Sequence, residues 1–118
     1  MINLKTLKDA QAQEVFDQVV NHLLEQNQRS IFESSCVYFG PGGIKCAAGC
    51  LISDDEYVKD MEGNNWSEMI GKGYAPLTHG GLIKALQVVH DSYNPVEWKH
   101  QLDLVATTFD LDNKAVHK

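Results

Sequence analysis

The seventeen residues from Cys36 to Ile52 hold all three cysteines, four of the nine glycines and one of the three prolines. Cys36-Val-Tyr-Phe39 is rich in β-branched and aromatic residues, which favour strands. Gly40-Pro41-Gly42-Gly43 is turn chemistry, and Ile44-Lys45-Cys46 supplies a second short run. The pattern predicts a small β-hairpin over about 36–46. A two-stranded hairpin is marginal in water by itself, so it has to lie against helices. Cys46 to Ile52 reads as a short buried helix, in which Ala47, Ala48 and Gly49 let another backbone come close.

Helices are legible on both sides of that run. Ala12, Val15, Phe16, Val19, Val20, Leu23 and Leu24 recur at three- and four-residue steps, one apolar stripe of a helix capped near Thr6 or Asp9. Ser53-Asp-Asp-Glu56 has the form of a capping box and predicts a short acidic helix carrying Tyr57, Val58 and Met61. Gly63-Asn-Asn65 breaks it, and Trp66 to Ile70 adds a turn. Gly71 to Pro76 reads as a loop. Leu82, Ile83, Leu86, Val89, His90 and Tyr93 mark a second stripe. Asn94-Pro95-Val96-Glu97 closes that helix and opens a last one, with Trp98, Leu102, Val105, Ala106 and Phe109 inward. Asp110 to Lys118 are expected to fray. The sum is a mostly helical α+β fold, a single domain over 1–118, with the hairpin packed on three to five helices.

The chain carries a formal charge of −6. Acidity of that kind repels phosphates and argues against direct nucleic-acid binding. Acids concentrate at Asp54, Asp55, Glu56, Asp60 and Glu62, with Lys59 the one base among them. Such a run is a solvated helix face or a contact for a partner. No apolar run approaches the ~20 residues of a membrane span. The N-terminal residues are too polar for a signal peptide, and an odd number of cysteines suits a reducing compartment, so a soluble cytoplasmic protein is expected.

The cysteines are spaced C-x9-C-x3-C. Cys46 and Cys50 would share a helical face, and Cys36 with one histidine could complete a zinc site, but no second close pair exists. Buried, inert thiols are the plainer reading, and neither a metal nor another cofactor is expected. A reactive-thiol reading uses Cys46 or Cys50 as nucleophile, His79 or His90 as base and Asp91 to orient the ring. His90-Asp91 also fits a metal-dependent phosphohydrolase, although the further ligands are not evident. Gly40-Pro-Gly-Gly43 lacks the spacing of a phosphate loop. Tyr38, Phe39, Tyr57, Trp66 and Tyr74 suggest an aromatic cluster around the hairpin.

The run Cys-x-Tyr-x-Gly-Pro-x-Gly-x-Lys-Cys-Ala-x-Gly-Cys-Leu-Ile-x-Asp-x-x-Tyr, Cys36 to Tyr57, resembles one in short uncharacterised proteins of tailed bacteriophages and some bacteria. The resemblance extends to Glu14-Val-Phe-Asp-x-Val-Val-x-His-Leu23, to Leu86-x-x-x-His-Asp91, and to Trp98 and Val105-Ala106. It implies a phage or prophage context, hence the host cytoplasm, and carries over no catalytic assignment.

These features predict a small acidic phage-type accessory protein, non-enzymatic, that binds and modulates a host or defence protein. Asp54, Asp55, Glu56, Asp60 and Glu62, with Lys72 and Tyr74 in the loop, are the expected contact residues. A cysteine-dependent hydrolase or transferase and a small-ligand or nucleotide-sensing module stand as alternatives. The oligomeric state and the partner's identity are not readable from the sequence.

Overall fold

Four α-helices and one two-stranded hairpin, linked by single 3-10 turns, make up the computed structural model, which describes residues 1–118. The order is α1 (Ala12–Gln26), β1 (Ile31–Phe32), β2 (Ser35–Cys36), α2 (Trp66–Gly71), α3 (Gly80–Ser92) and α4 (Trp98–Thr108). This is the mostly helical α+β fold that the sequence predicts.

The three apolar stripes converge on one core of 25 buried residues. From α1 come Val15, Phe16, Val19, Val20 and Leu23; from α3, Leu82, Ile83, Leu86 and Val89; from α4, Trp98, Leu102, Val105 and Ala106. Trp98 is fully buried, and its indole N–H donates to the Tyr93 carbonyl at 3.0 Å, so its one polar atom is satisfied. Each fully buried side chain of this size contributes ~1.5–3 kcal/mol, so these three faces drive the collapse. No helix is long and apolar enough to cross a membrane.

Helix ends follow local chemistry. The N–H of Gln11, the residue before α1, donates to Glu14 at 2.9 Å, so the helix starts later than a Thr6 or Asp9 cap would place it. At α4 the predicted start holds: Pro95–Glu97 form a 3-10 turn, and the Asn94 N–H donates to Glu97. Gly71 to Pro76 folds back onto α2. Gly73, at φ 83°, lets its own N–H reach the Ile70 carbonyl at 3.1 Å and that of Tyr74 reach Met69 at 2.9 Å. That is a Schellman ending, and glycine supplies the left-handed residue it needs.

The hairpin forms earlier in the chain than expected. Ile31 pairs with Cys36 and Phe32 with Ser35, around a turn of Glu33 and Ser34. Residues 36–46 still reverse direction, but a single bridge, Phe39 to Lys45, closes them. The reason lies in Glu62, whose carboxylate accepts the backbone N–H groups of Tyr38 and Phe39 at 2.9 and 3.1 Å. Donors engaged by a side chain cannot extend a strand ladder.

The small residues after the reversal do what their size suggests. Ala48–Leu51 is a buried 3-10 turn, and a Cβ on Gly49 would collide with the Tyr38 carbonyl oxygen. Lys45 crosses this region, with Nζ 4.2 Å from the Phe39 ring centre and 3.2 Å from Asp54. Phe39 in turn stacks on Tyr57 at 4.1 Å, and Tyr38 meets Trp66 edge to face at 6.5 Å.

Two further expectations are corrected. Ser53–Glu56 starts no helix. The Ser53 hydroxyl donates to Asp55 at 2.7 Å, and Glu56 accepts the N–H groups of Ser53, Leu4 and Lys5 at 3.0, 3.0 and 3.1 Å. The carboxylate thus pins the N-terminal segment, and the acidic run is a turn plus one 3-10 turn, Lys59–Met61. The C-terminal residues do not fray either. Asp112 exchanges bonds with the Gln13 side chain at 2.8 and 2.9 Å, and Val116 is buried in the core.

Candidate functional site

His90 is fully buried near the end of α3, stacked on Trp98 at 5.8 Å. Its Nε2 accepts the backbone N–H of Ser30 at 2.8 Å. An acceptor nitrogen carries no proton, so Nδ1 holds the ring's hydrogen and donates it to Asp91 Oδ1 at 2.7 Å. Gln87, one turn back on α3, donates to the same oxygen at 2.7 Å. Arg29 sits behind. Its Nη2 donates to the Asp91 carbonyl oxygen at 2.6 Å and lies 3.5 Å from Cys36 Sγ. The hairpin and α3 are therefore sewn together through Arg29, Ser30 and Cys36.

Burial works to raise the Asp91 carboxyl, but the bonds from His90, Cys36 and Gln87 outweigh it and hold it below the ordinary carboxylate range. The Cys36 thiol moves the other way: burial first, then the Asp91 charge, push it up. Cys36 is thus a thiol beside a carboxylate rather than a thiolate.

Cys36, His90 and Asp91 place ligand-type atoms within 4.8 Å of one another. Their chemistry does not fit a metal. A metal on Nδ1 of a neutral imidazole sends the ring proton to Nε2, against the Ser30 N–H that Nε2 now accepts. The Arg29 guanidinium beside the sulfur opposes a dication as well. Cys46 and Cys50 lie outside this cluster, so the zinc geometry weighed from the cysteine spacing does not form.

The cysteine–histidine pairs considered from sequence do not meet. The Cys46 sulfur accepts the Gly49 N–H at 3.3 Å, and Cys50 donates to the Ala47 carbonyl at 3.2 Å. Burial pushes the Cys46 thiol far up and that of Cys50 to about 12. His79 caps α3 at φ 57° and hydrogen-bonds the Ala10 carbonyl through Nε2 at 2.6 Å, tying α3 to the segment before α1. His90 has both ring nitrogens engaged. The Cys36–Asp91 contact is the one that sequence reading missed, and nothing in the local pattern around either residue announces it.

A cleft of about 470 Å³ opens beside this cluster, between the Cys36–Tyr38 segment, α2 and α3. Cys36, Val37, Trp66, Lys84, Val88 and Asp91 are among its walls. Trp66 is 2% exposed, and its indole N–H has no acceptor within the chain. The predicted partner contacts, of which Glu62 alone lines this cleft, divide in two. Glu56 and Glu62 are engaged inward, Glu62 also accepting the Tyr57 hydroxyl at 2.7 Å. Asp54, Asp55 and Asp60 are exposed. Lys72 is exposed and donates to Asn64 at 2.7 Å, and Tyr74 is half-buried against the core.

The chain matches no family model, no curated protein and no solved structure.

Proposed function

We propose that this chain is a small acidic accessory protein of the kind tailed bacteriophages carry, which binds a host or defence protein and modulates it without chemistry of its own. The observation that carries this reading is the division within the acidic run. Glu56 and Glu62 hold the fold, whereas Asp54, Asp55 and Asp60 face outward together with Val58, which is 47% exposed. Carboxylates bordering an exposed apolar side chain suit a basic protein surface, with the charges steering encounter and the apolar group contributing burial. The protonated thiols and the engaged His90 ring favour a binding role over a cysteine-dependent hydrolase or transferase.

The immobilised full chain tests this in bacterial lysate beside the triple variant Asp54→Ser, Asp55→Ser, Asp60→Ser. Specific proteins retained by the wild type and lost by the variant are expected. Equal retention by both, or a blank for both, would overturn the reading.

A second reading, a small-ligand or nucleotide-sensing module, has the cleft in its favour, whose volume lies within the ~300–1,000 Å³ typical of small-molecule sites. Thermal-shift measurements with nucleotides address it, and stabilisation by one of them would favour it.

A further inference from the structure

A second hollow, of about 520 Å³, shares no residue with the cleft. It lies where the C-terminal half of α1, the start of α4 and the 3-10 turn Lys114–His117 come together, and the buried Val116 lines it. One wall carries Leu24 and Glu25 of α1. Another carries Val96 and Lys99, one helical turn apart. Val96 is 90% exposed, more than any other large apolar side chain except Met1, and Leu24 is half-buried. A lone exposed apolar residue is ordinary on a surface, but this one stands on the lip of a concave site with apolar groups inside.

The charges on these walls run against local preference. Glu25 falls in the last turn of α1, where free carbonyls favour a cation. Lys99 is the second residue of α4, at the end where free N–H groups favour an anion. Neither finds a counter-charge within the chain. No ion pair joins Glu25 to Lys99, or to Lys118, the other lysine on the hollow. Asp103, one turn beyond Lys99, is occupied by Asn113 and His117. Glu97, exposed beside Val96, offsets Lys118, so the rim has no net charge and like faces do not repel. A half-turn about an axis through the hollow brings the Val96–Lys99 wall of one copy over the Leu24–Glu25 wall of another. The converse contact then forms by symmetry.

We propose that this face docks a second copy of the chain about a two-fold axis, Val96 of each copy seated against Leu24 of the other and Lys99 paired with Glu25 across the contact. The patch is small, which places the dimer in the weak, reversible class of interfaces. Asp54, Asp55 and Asp60 do not line it, so the inference stands apart from the binding role proposed above.

Sedimentation equilibrium of the full chain tests it, from ~1 μM to ~1 mM, a range that spans weak association. The mean mass is expected to rise from 13.2 kDa toward twice that value. A mass that stays at the monomer's throughout overturns the proposal. Glu25→Lys and Lys99→Glu should each weaken association about tenfold, because symmetry applies every change twice. Each reversal suits its helix end better than the native residue, so thermal midpoints should not fall. The deciding sample is an equimolar mixture of the two variants, in which both contacts of a mixed pair join opposite charges again. Recovery of wild-type association by the mixture supports the proposal. A mixture no stronger than its components overturns it. Single variants that associate like the wild type also overturn it and place the contact on another surface. Val96→Asp, at a position open to solvent, is the second probe: it should leave a folded monomer, and a dimer that survives it removes the apolar contact and the proposal with it.

Discussion

Ser30 and His90, sixty positions apart in sequence, are joined by one bond, the Ser30 N–H donating to Nε2 at 2.8 Å. That bond sets the tautomer of a buried ring, and the ring in turn orients Asp91 at the edge of the cleft. Long-range 15N–1H correlation on labelled protein should show the His90 proton on Nδ1, with Nε2 as acceptor. His90→Ala leaves the Ser30 N–H unsatisfied and opens a cavity beneath Trp98. The expected loss is ~3 kcal/mol, read as a lower urea midpoint at unchanged slope. A change under ~0.5 kcal/mol, the range of ordinary surface substitutions, would contradict the structural role.

Glu62 and Tyr57 give an optical readout of the reversal at 36–46. Burial, then the bond to Glu62, pushes the Tyr57 phenol up to about 12, and burial pushes that of Tyr38 further. Absorbance titration at alkaline pH should therefore show Tyr57 and Tyr38 ionising late. Glu62→Gln removes the charge and should bring Tyr57 to lower pH while Tyr38 stays late. It also turns an amide donor toward backbone N–H groups, at a cost of ~1–3 kcal/mol.

Gly49 and Gly71 should respond oppositely to alanine. At Gly49 the new methyl meets the Tyr38 carbonyl, and backbone cannot move aside as a side-chain end can. Gly49→Ala is expected to destabilise by ~1–3 kcal/mol through overpacking. At Gly71, the last residue of α2, nothing lies within 4 Å of the added atom. Gly71→Ala should stabilise by ~0.5–1 kcal/mol by restricting the unfolded chain. Thermal unfolding of the two variants side by side decides it.

Iodoacetamide kinetics separate the binding reading from the catalytic one. A thiol at about 12, as at Cys50, holds on the order of 10³-fold less thiolate near neutral pH than one at 9.0, and Cys46 should hold less still. All three thiols should label slowly in the native protein, Cys36 first, and at similar rates in urea. One thiol labelling faster in the native state than in urea would restore a cysteine-dependent chemistry.

Periodicity made the helical core legible, because the stripes at Val15–Leu23, Leu82–Val89 and Trp98–Ala106 each bury what their spacing selects. The hairpin was misplaced for a physical reason. Its turn holds Glu33 at φ 51° and Ser34 at φ 67°, a pair with none of the glycine or asparagine chemistry that marks such turns. Gly42 and Gly43 carry that chemistry, but Glu62 takes the donors a ladder there would use. Single carboxylates decided two of the failures of local reading, the hairpin and the acidic helix, since Glu56 and Glu62 look like surface acids in sequence and act as staples in space. The site is least legible of all. Cys36 and Asp91 belong to distant segments, and only the packing of hairpin on α3 makes them neighbours.

Glu56 offers a test by pH. Burial works to raise its carboxyl, yet the N–H groups of Ser53, Leu4 and Lys5 together outweigh that and lower it. A carboxyl depressed on folding binds its proton more tightly in the unfolded chain. Its contribution is thus complete above the unfolded value, ~4.3, and disappears as pH falls through the lower folded value. The comparison is wild type against Glu56→Gln, in urea at a series of pH values from 7 to 3. Wild type should lead at neutral pH, by a margin kept small by solvent screening, and the two curves should converge below pH ~4. A margin that stayed constant down to pH 3 would mean the bonds to Leu4 and Lys5 do not depend on the charge. The N-terminal segment would then be held by the packing of Leu7, which is fully buried.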